Sequence, residues 1–449
     1  MVVGRLIRAL DRPVDGASVA AFRILFGAVM ALSTLRFVGR GWIAADYGKP
    51  RLFLHYWGFG WVQPFPVAGM YALYAVIGAA ALCVLLGVWY RPAASVFALA
   101  FSYAHLCDKS NYLNHYYLIS LVACLFVVLP LDREFSWRVW RAPSERRGQV
   151  RAWVLYLLRF QIGVVYVFGG IGKLGADWLV HGQPLRLWLA MSAELPVLGP
   201  LLVRPWSGLA FSWAGAVFDL TIVPLLSWRV TRAPAYVVLV IFHVLTAMLF
   251  QIGMFPWIMI VSATLFWNPA WPRIVLKRLS RFHDHVATAG VAGAPLSMMG
   301  RAIAALYTAF QILMPLRWVL YPGNTLWTEE GFRFSWKVML IEKVGSLDFN
   351  VVDSVGHEYV VSATDYLTPF QARMTATQAD MILELAHVVA RDFETRGHGA
   401  VSVYADSQVT FNGRRHHRFI DPRCDLSRET DGLSHHRFIL PAPKEAPSF

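Results

Sequence analysis

Apolar residues in this chain come in long, nearly unbroken runs separated by short polar gaps. A run of about 20 apolar residues at a 1.5 Å rise is enough to cross the hydrocarbon core of a bilayer. Nine runs predict spanning helices: 17–38, 67–89, 92–106, 113–131, 152–171, 208–228, 234–250, 252–267 and 301–321. Those at 92–106, 234–250 and 252–267 are short, and a re-entrant or interfacial segment is the alternative for 92–106.

From about residue 330 the pattern changes. Leu347, Phe349 and Val351 alternate with polar positions and Tyr359, Val360 and Val361 follow, which predicts strands. Thr375–Arg396 predicts one helix, with Thr375 and Gln378 at capping-box spacing and Ile382, Leu385, Val389 and Phe393 recurring at helical intervals. Val401–Phe411 and Arg414–Ile420, joined by Asn412 and Gly413, predict a hairpin with the pair that a type I′ turn needs. The expected fold is an α-helical integral membrane protein. A bundle of about nine transmembrane helices occupies 1–325, a small extracytoplasmic α+β domain 326–440, and a frayed tail 441–449.

Composition excludes an ordinary soluble enzyme: 57% of the 449 residues are hydrophobic and 15% charged, against roughly 25% charged in soluble domains. The net charge of +13 is unevenly spread, since residues 1–329 hold 28 of the 41 Lys/Arg but only 12 of the 28 Asp/Glu. Nucleic-acid binding would gather these cations on one face of a folded domain. Here they sit in the gaps between apolar runs, so they read as topology signals and no nucleic-acid partner is expected. With Arg5, Arg8 and Arg12 cytoplasmic, the cytoplasmic gaps carry Arg91, then Arg133 to Arg151, then Arg229 and Arg232, then Arg273, Lys277, Arg278 and Arg281. The opposite gaps are sparser in Lys/Arg, so the C-terminal domain is expected outside the cell membrane. Cys83, Cys107, Cys124 and Cys424 form no CxxC and no ligand spacing, so neither a disulfide framework nor a metal site is expected. Met1 to Pro13 lacks an apolar core followed by a cleavage site, which argues against a removable signal peptide.

An ionisable side chain at membrane depth costs about 2.5–3.5 kcal/mol on insertion scales and therefore needs a partner or a purpose. Arg23, Asp108, Arg159, Asp219 and His243 fall in or beside predicted spans. For Arg23, Arg159 and Asp219 a structural ion pair or helix clamp is the simpler reading. Lys173 follows Gly169, Gly170 and Gly172 at the outer end of the fifth span. It is either a side chain snorkelling to the interface or a desolvated amine able to act as a base. Asn114 and His115 open the fourth span from the same side; the first is a helix cap or an oxygen ligand, the second a proton carrier or a core histidine. Trp327 to Trp336 lies just beyond the last span, where its aromatics also suit an interface belt. His416, His417, His435 and His436 read as solvated pairs. These residues predict an outward-facing intramembrane pocket with Lys173, His115 and His243 as candidates, without naming a reaction.

Several spaced motifs together resemble the vitamin K-dependent gamma-carboxylases and their bacterial relatives, with an HTTM-like transmembrane domain. They are Phe22 to Gly27, Tyr56 to Trp61, Asp108 to His115, Leu158 to Gln161, Tyr166 to Trp178, His243 with Leu249 to Pro256, Trp327 to Trp336, and Asn412 to Arg423. The resemblance covers nearly the whole chain. It implies an enzyme that oxygenates vitamin K hydroquinone, or menaquinol, to the epoxide with O2. The strongly basic intermediate removes a glutamate γ-proton, and CO2 adds to the carbanion. Carried over residue by residue, it implies Lys173 as the catalytic base, with Asn114 and His115 holding oxygens. His243, Phe255, Trp336 and Met339 would line the cofactor site, and Trp327 and Ser335 the substrate side. The implied partners are the bilayer and a glutamate-containing peptide or protein; oligomeric state is not implied. Animal members have a lysine pair where this chain has Gly172 and Lys173, an Asp where it has Gly175, and a longer lumenal part that grips a propeptide. The departures favour a bacterial-type enzyme acting on another peptide, with quinol oxygenation alone, or non-enzymatic maturation of an exported peptide, as alternatives.

Overall fold

A computed structural model describes residues 2–196, 198–279 and 290–448; the expected cytoplasmic Arg281 and the last tail residue, Phe449, lie outside them. Each predicted apolar run is helical. The helices are α1 (Ala17–Gly39), α2 (Val67–Leu86), α3 (Tyr90–Leu106), α4 (Asn114–Val128), α5 (Ala152–Gly172), α6 (Ser207–Ser227), α7 (Arg232–Leu249), α8 (Phe255–Ala263) and α9 (Met298–Leu316). The expected count of nine spans is not confirmed: six described helices are long and apolar enough to cross, α1, α2, α5, α6, α7 and α9. α4 has 15 residues, about 22 Å of helix against a hydrocarbon core of about 30 Å. The break between α3 and α4 has a local cause. Asp108 accepts from the Ser110 amide at 2.9 Å and starts a 3-10 turn over Lys109–Asn111, so the polar motif stops one helix and starts the next.

Two intramembrane arginines act as clamps on helix ends. Arg23, 0% exposed, donates to the carbonyls of Val84 and Leu85 at the end of α2 and to those of Leu131 and Phe135. Arg159 likewise donates to the carbonyls of Leu265 and Trp267 just past α8. Helix C-termini leave carbonyls unpaired, and a guanidinium with five donors satisfies several at once. Of the three intramembrane charges expected to be structural, only Asp219 stands elsewhere.

Beyond the last span, strands β1 (Lys343–Val352), β2 (Glu358–Ser362), β3 (Ser402–Phe411) and β4 (Arg414–Arg418) form one antiparallel sheet in the order β2-β1-β3-β4. Leu347, Phe349 and Val351 of β1 share a core with Ile382, Leu385, Val389 and Phe393 of α11 (Ala379–Thr395). The hairpin forms as predicted, with Asn412 at φ 45° and Gly413 at φ 80° in its turn, and β4 ends at Arg418 rather than Ile420. The helix expected over Thr375–Arg396 forms but starts four residues later, and a separate short helix precedes it. α10 (Pro369–Thr375) carries the capping box, formed by Thr368 and Gln371, and α11 starts after Gln378 without a side-chain cap. The tail expected to fray is tied down. Arg414 Nε donates to the Glu445 carbonyl at 2.8 Å and the Ser448 amide to the Gly413 carbonyl at 2.9 Å.

Among the described residues, polar contacts at two places dock this domain on the bundle. Lys109, with its side chain 1% exposed, sits 3.1 Å from Asp380 and 2.9 Å from Glu384 of α11, and Arg333 reaches Asp380 at 2.6 Å. On the other side, Arg414 pairs with Asp177.

Candidate active site

The site grows from the crossing of α5 and α6. A Cβ on Gly170 would stand 2.8 Å from the Leu220 side chain, and one on Gly169 3.4 Å from an Asp219 carboxylate oxygen, so the small residues let the helices meet. That approach puts Lys173, at the C-terminal end of α5, against Asp219 in α6: Nζ to Oδ2 is 2.6 Å. Both side chains are about nine-tenths buried. Nζ lies 3.4 Å from the Gly169 carbonyl and 5.3 Å from the centre of the Trp178 ring. Trp178 is fixed in turn by its Nε1, which donates to the Ser212 carbonyl at 2.6 Å.

A cavity opens beside this pair, walled by Phe211, Phe242, Phe250, Ile252, Phe255 and Met339. Its second polar group is His243, 1% exposed, whose Nε2 is hydrogen-bonded to the Tyr166 hydroxyl at 2.8 Å. His243 Nδ1 is buried with no hydrogen-bond partner among the described residues. An unpaired buried polar atom is costly and calls for an explanation. In an otherwise apolar cavity, a ligand hydroxyl is one.

The segment Glu329–Met339, which ends in the cavity wall with Val338 and Met339, has an unusual backbone. Glu329, Phe334, Trp336 and Met339 all have φ near 60°, at 58°, 62°, 60° and 59°. Each such residue costs about 1–3 kcal/mol, and such strain persists only where surroundings over-determine it. They do so here. The Phe334 amide donates to the Tyr112 hydroxyl at 2.7 Å, Asn114 Nδ2 to the Lys337 carbonyl at 2.9 Å, and Arg317 to the Arg333 carbonyl at 2.7 Å. The Trp336 ring stacks on Tyr117 at 5.0 Å. In the same segment, burial pulls the Lys337 amine down to about 8 while its Nζ rests 4.4 Å from the Trp318 ring centre.

The predicted residues are therefore divided. Lys173, His243, Phe255 and Met339 line the cavity together. Asn114 is engaged at both ends, donating to Lys337 and accepting from Tyr112 at 2.9 Å. His115 is buried behind Phe255, with ring centres 6.2 Å apart, and Trp336 is buried in the segment Glu329–Met339. Ser335 bonds its Oγ to the Phe332 carbonyl. Trp327 is 0% exposed in the core of the α+β domain, edge-on to Phe411 and Phe419. Asp219 and Tyr166 were not predicted as site residues. Tyr166 had a signal: with Gly169 and Lys173 it falls at i, i+3 and i+7, one face of α5. Asp219 was visible only as a charge in an apolar run.

Residues 11–271 match the HTTM domain, and residues 296–445 match the vitamin K-dependent gamma-carboxylase, lumenal domain. The second match suggests that the α+β domain is extracytoplasmic. No solved structure matches the chain.

Proposed function

Because the chain belongs to the vitamin K-dependent gamma-carboxylase family, we propose that it oxygenates vitamin K hydroquinone, or menaquinol, and couples this to the carboxylation of peptide glutamate, with a cytoplasmic N-terminus. The observation that carries the reading is the buried Lys173–Asp219 pair beside an apolar cavity. The cavity's chemistry suits a lipid quinol: aromatic walls for the ring, and the unpartnered His243 Nδ1 for a hydroxyl. When bound, the hydroquinone supplies, through its oxygenation to the epoxide, the base strength needed to remove a glutamate γ-proton before CO2 adds.

The protein's own part is proton handling and exclusion of water. As an ion pair, Lys173 holds its proton. In a dry site it passes that proton to Asp219 Oδ2 at little cost in net charge, and the freed Nζ then takes one from a bound hydroxyl. The resulting ammonium stays beside the oxygen it has deprotonated, a preorganised counter-charge in low dielectric. His243, oriented by Tyr166, holds the ring through Nδ1. Asn114 acts through the Lys337 carbonyl to hold the segment Glu329–Met339 in place, and His115 supports Phe255 from behind. Ser335 serves the substrate side through the shape of that segment, and Trp327 from the core of the α+β domain just before it.

The test is a paired assay of detergent-purified wild type and Lys173→Ala, supplied with vitamin K hydroquinone, O2, labelled bicarbonate and a short glutamate peptide. Epoxide and labelled peptide, both lost in the variant, are expected. Epoxide without label would reduce the activity to quinol oxygenation; neither product, with no quinol binding, would leave a maturation factor.

A further inference from the structure

Four residues after Lys173, Asp177 belongs to the short helix Ala176–Leu179, and its carboxylate leaves the membrane domain to meet the hairpin turn of the α+β domain. Arg414 Nη2 donates to Oδ1 at 2.6 Å and Nη1 to Oδ2 at 3.0 Å, a two-pronged guanidinium–carboxylate pair. Asn412 Nδ2 donates to Oδ2 at 3.0 Å. The Arg414 and Asp177 side chains are 9% and 12% exposed, so the pair is screened little by salt.

Every part of this contact is itself held. Arg414 Nε donates to the Glu445 carbonyl at 2.8 Å. Asn412 accepts from the Glu342 amide at 2.8 Å and sits in a turn that its φ of 45° fixes. On the far side, the Asp177 carbonyl accepts from the Gln183 amide at 2.7 Å. The next residue, Trp178, is bonded to Ser212 and carries the ring beside Lys173 Nζ. A rigid path thus runs from hairpin turn to Asp177, to Trp178, to the amine. Docking alone does not need it, because the Lys109 cluster ties the domain to the bundle at a separate place.

We propose that Asp177, Asn412 and Arg414 form a positioning latch through which the α+β domain sets the orientation of Lys173. None of the three touches the cavity, so they are positioning residues. A fork–fork pair fixes angle as well as distance, which a lysine in place of Arg414 would not reproduce. The inference rests on the reading of Lys173 as the base, but its structural half does not.

The experiment measures hydrogen–deuterium exchange of the full-length protein in detergent, wild type against Arg414→Ala, Arg414→Lys and Lys109→Met, alongside kcat and KM for quinol oxidation. Arg414→Ala is expected to speed exchange across residues 172–183 by about tenfold, as local opening does, while exchange at 109–112 stays as in wild type. It should lower kcat by about tenfold with little change in KM for quinol, the signature of a displaced catalytic group. Arg414→Lys should fall between, and it carries the test if the alanine variant does not fold. Unchanged exchange across 172–183, or an equal rise on Lys109→Met, would overturn the latch. Exchange is read whether or not the wild type oxidises quinol, so a failed activity assay would sink the carboxylase reading and leave the latch decided.

Discussion

A lysine and an aspartate 2.6 Å apart, each about nine-tenths buried, are an expensive way to hold two helices together. Removing one partner of a buried pair typically costs about 3–5 kcal/mol, whereas replacing both by apolar residues is often neutral. Asp219→Leu alone should therefore lower the melting temperature in detergent strongly. Lys173→Met with Asp219→Leu should recover most of that loss and remain without activity. A double variant as unstable as the single one would mean that the pair is there for stability. Lys337 makes a different prediction. Its folded-state value of about 8 lies below the unfolded value of about 10.4, so between these two the unfolded chain binds more protons. Stability should then rise with pH across that window, and Lys337→Met should flatten the rise in a pH series of thermal melts. At this scale the sequence exposes which groups are out of place but not what they meet. Lys173 stands out at a glycine-rich helix end. Its partner lies 46 positions away on a helix whose rotation only packing decides, so Asp219 reads as another structural charge.

Helix α5 meets α6 through its glycines, and the contact grades them. A Cβ at Gly170 would stand 3.1 Å from the Leu220 backbone nitrogen and 2.8 Å from its side chain, while one at Gly163 would find Val223 at an ordinary 3.5 Å. Gly170→Ala should push the helices apart, separate Lys173 from Asp219, and reduce both activity and thermal stability. Gly163→Ala should be neutral or stabilising, since alanine gains about 1 kcal/mol of helix propensity over glycine. Equal effects in the two melts would show that the crossing is looser than its geometry. Elements of this kind are legible because period and punctuation specify them: long apolar runs give α1 to α9, and Asn412 with Gly413 gives the hairpin. The start of α11 is less so: Thr375 and Gln378 have the spacing of a capping box, but the box that forms is Thr368 with Gln371 at the start of α10, and α11 begins after Gln378 without a side-chain cap. The segment Glu329–Met339 follows no period. Its left-handed residues are held by Tyr112, Asn114 and Arg317, partners that a local pattern cannot reveal.

For the molecule as a whole, the question is what keeps an α+β domain registered on a bundle embedded in lipid. Leu54, from the loop between α1 and α2, is 0% exposed within the domain's own core, so the two parts do not fold as strangers. Asp108 to Ser110, which in the sequence is a polar stretch beside a span and the start of one of the resemblance motifs, is largely devoted to this docking. Asp108 accepts from Gln371 at 2.8 Å, and Lys109 enters the carboxylates of α11. Burial alone would push the Asp380 carboxyl up, but Arg333 and Lys109 outweigh it and hold it well below the usual carboxylate range. Glu384 is lowered despite burial by His55 and Lys109. Both folded values lie below the unfolded ones, so the stabilisation is complete above about pH 4, where unfolded carboxylates ionise, and disappears as pH falls through the folded values. Protease sensitivity between α9 and β1 should therefore stay low at neutral pH and rise only in strong acid. Lys109→Met removes one of the two cations, raises both carboxyls, and should move that rise to higher pH. Arg428→Ala, which breaks an exposed pair with Asp425, should leave it where it is. If Lys109→Met leaves the acid midpoint unchanged, the cluster does not carry the docking, and the apolar contact around Leu54 must hold the domain without it.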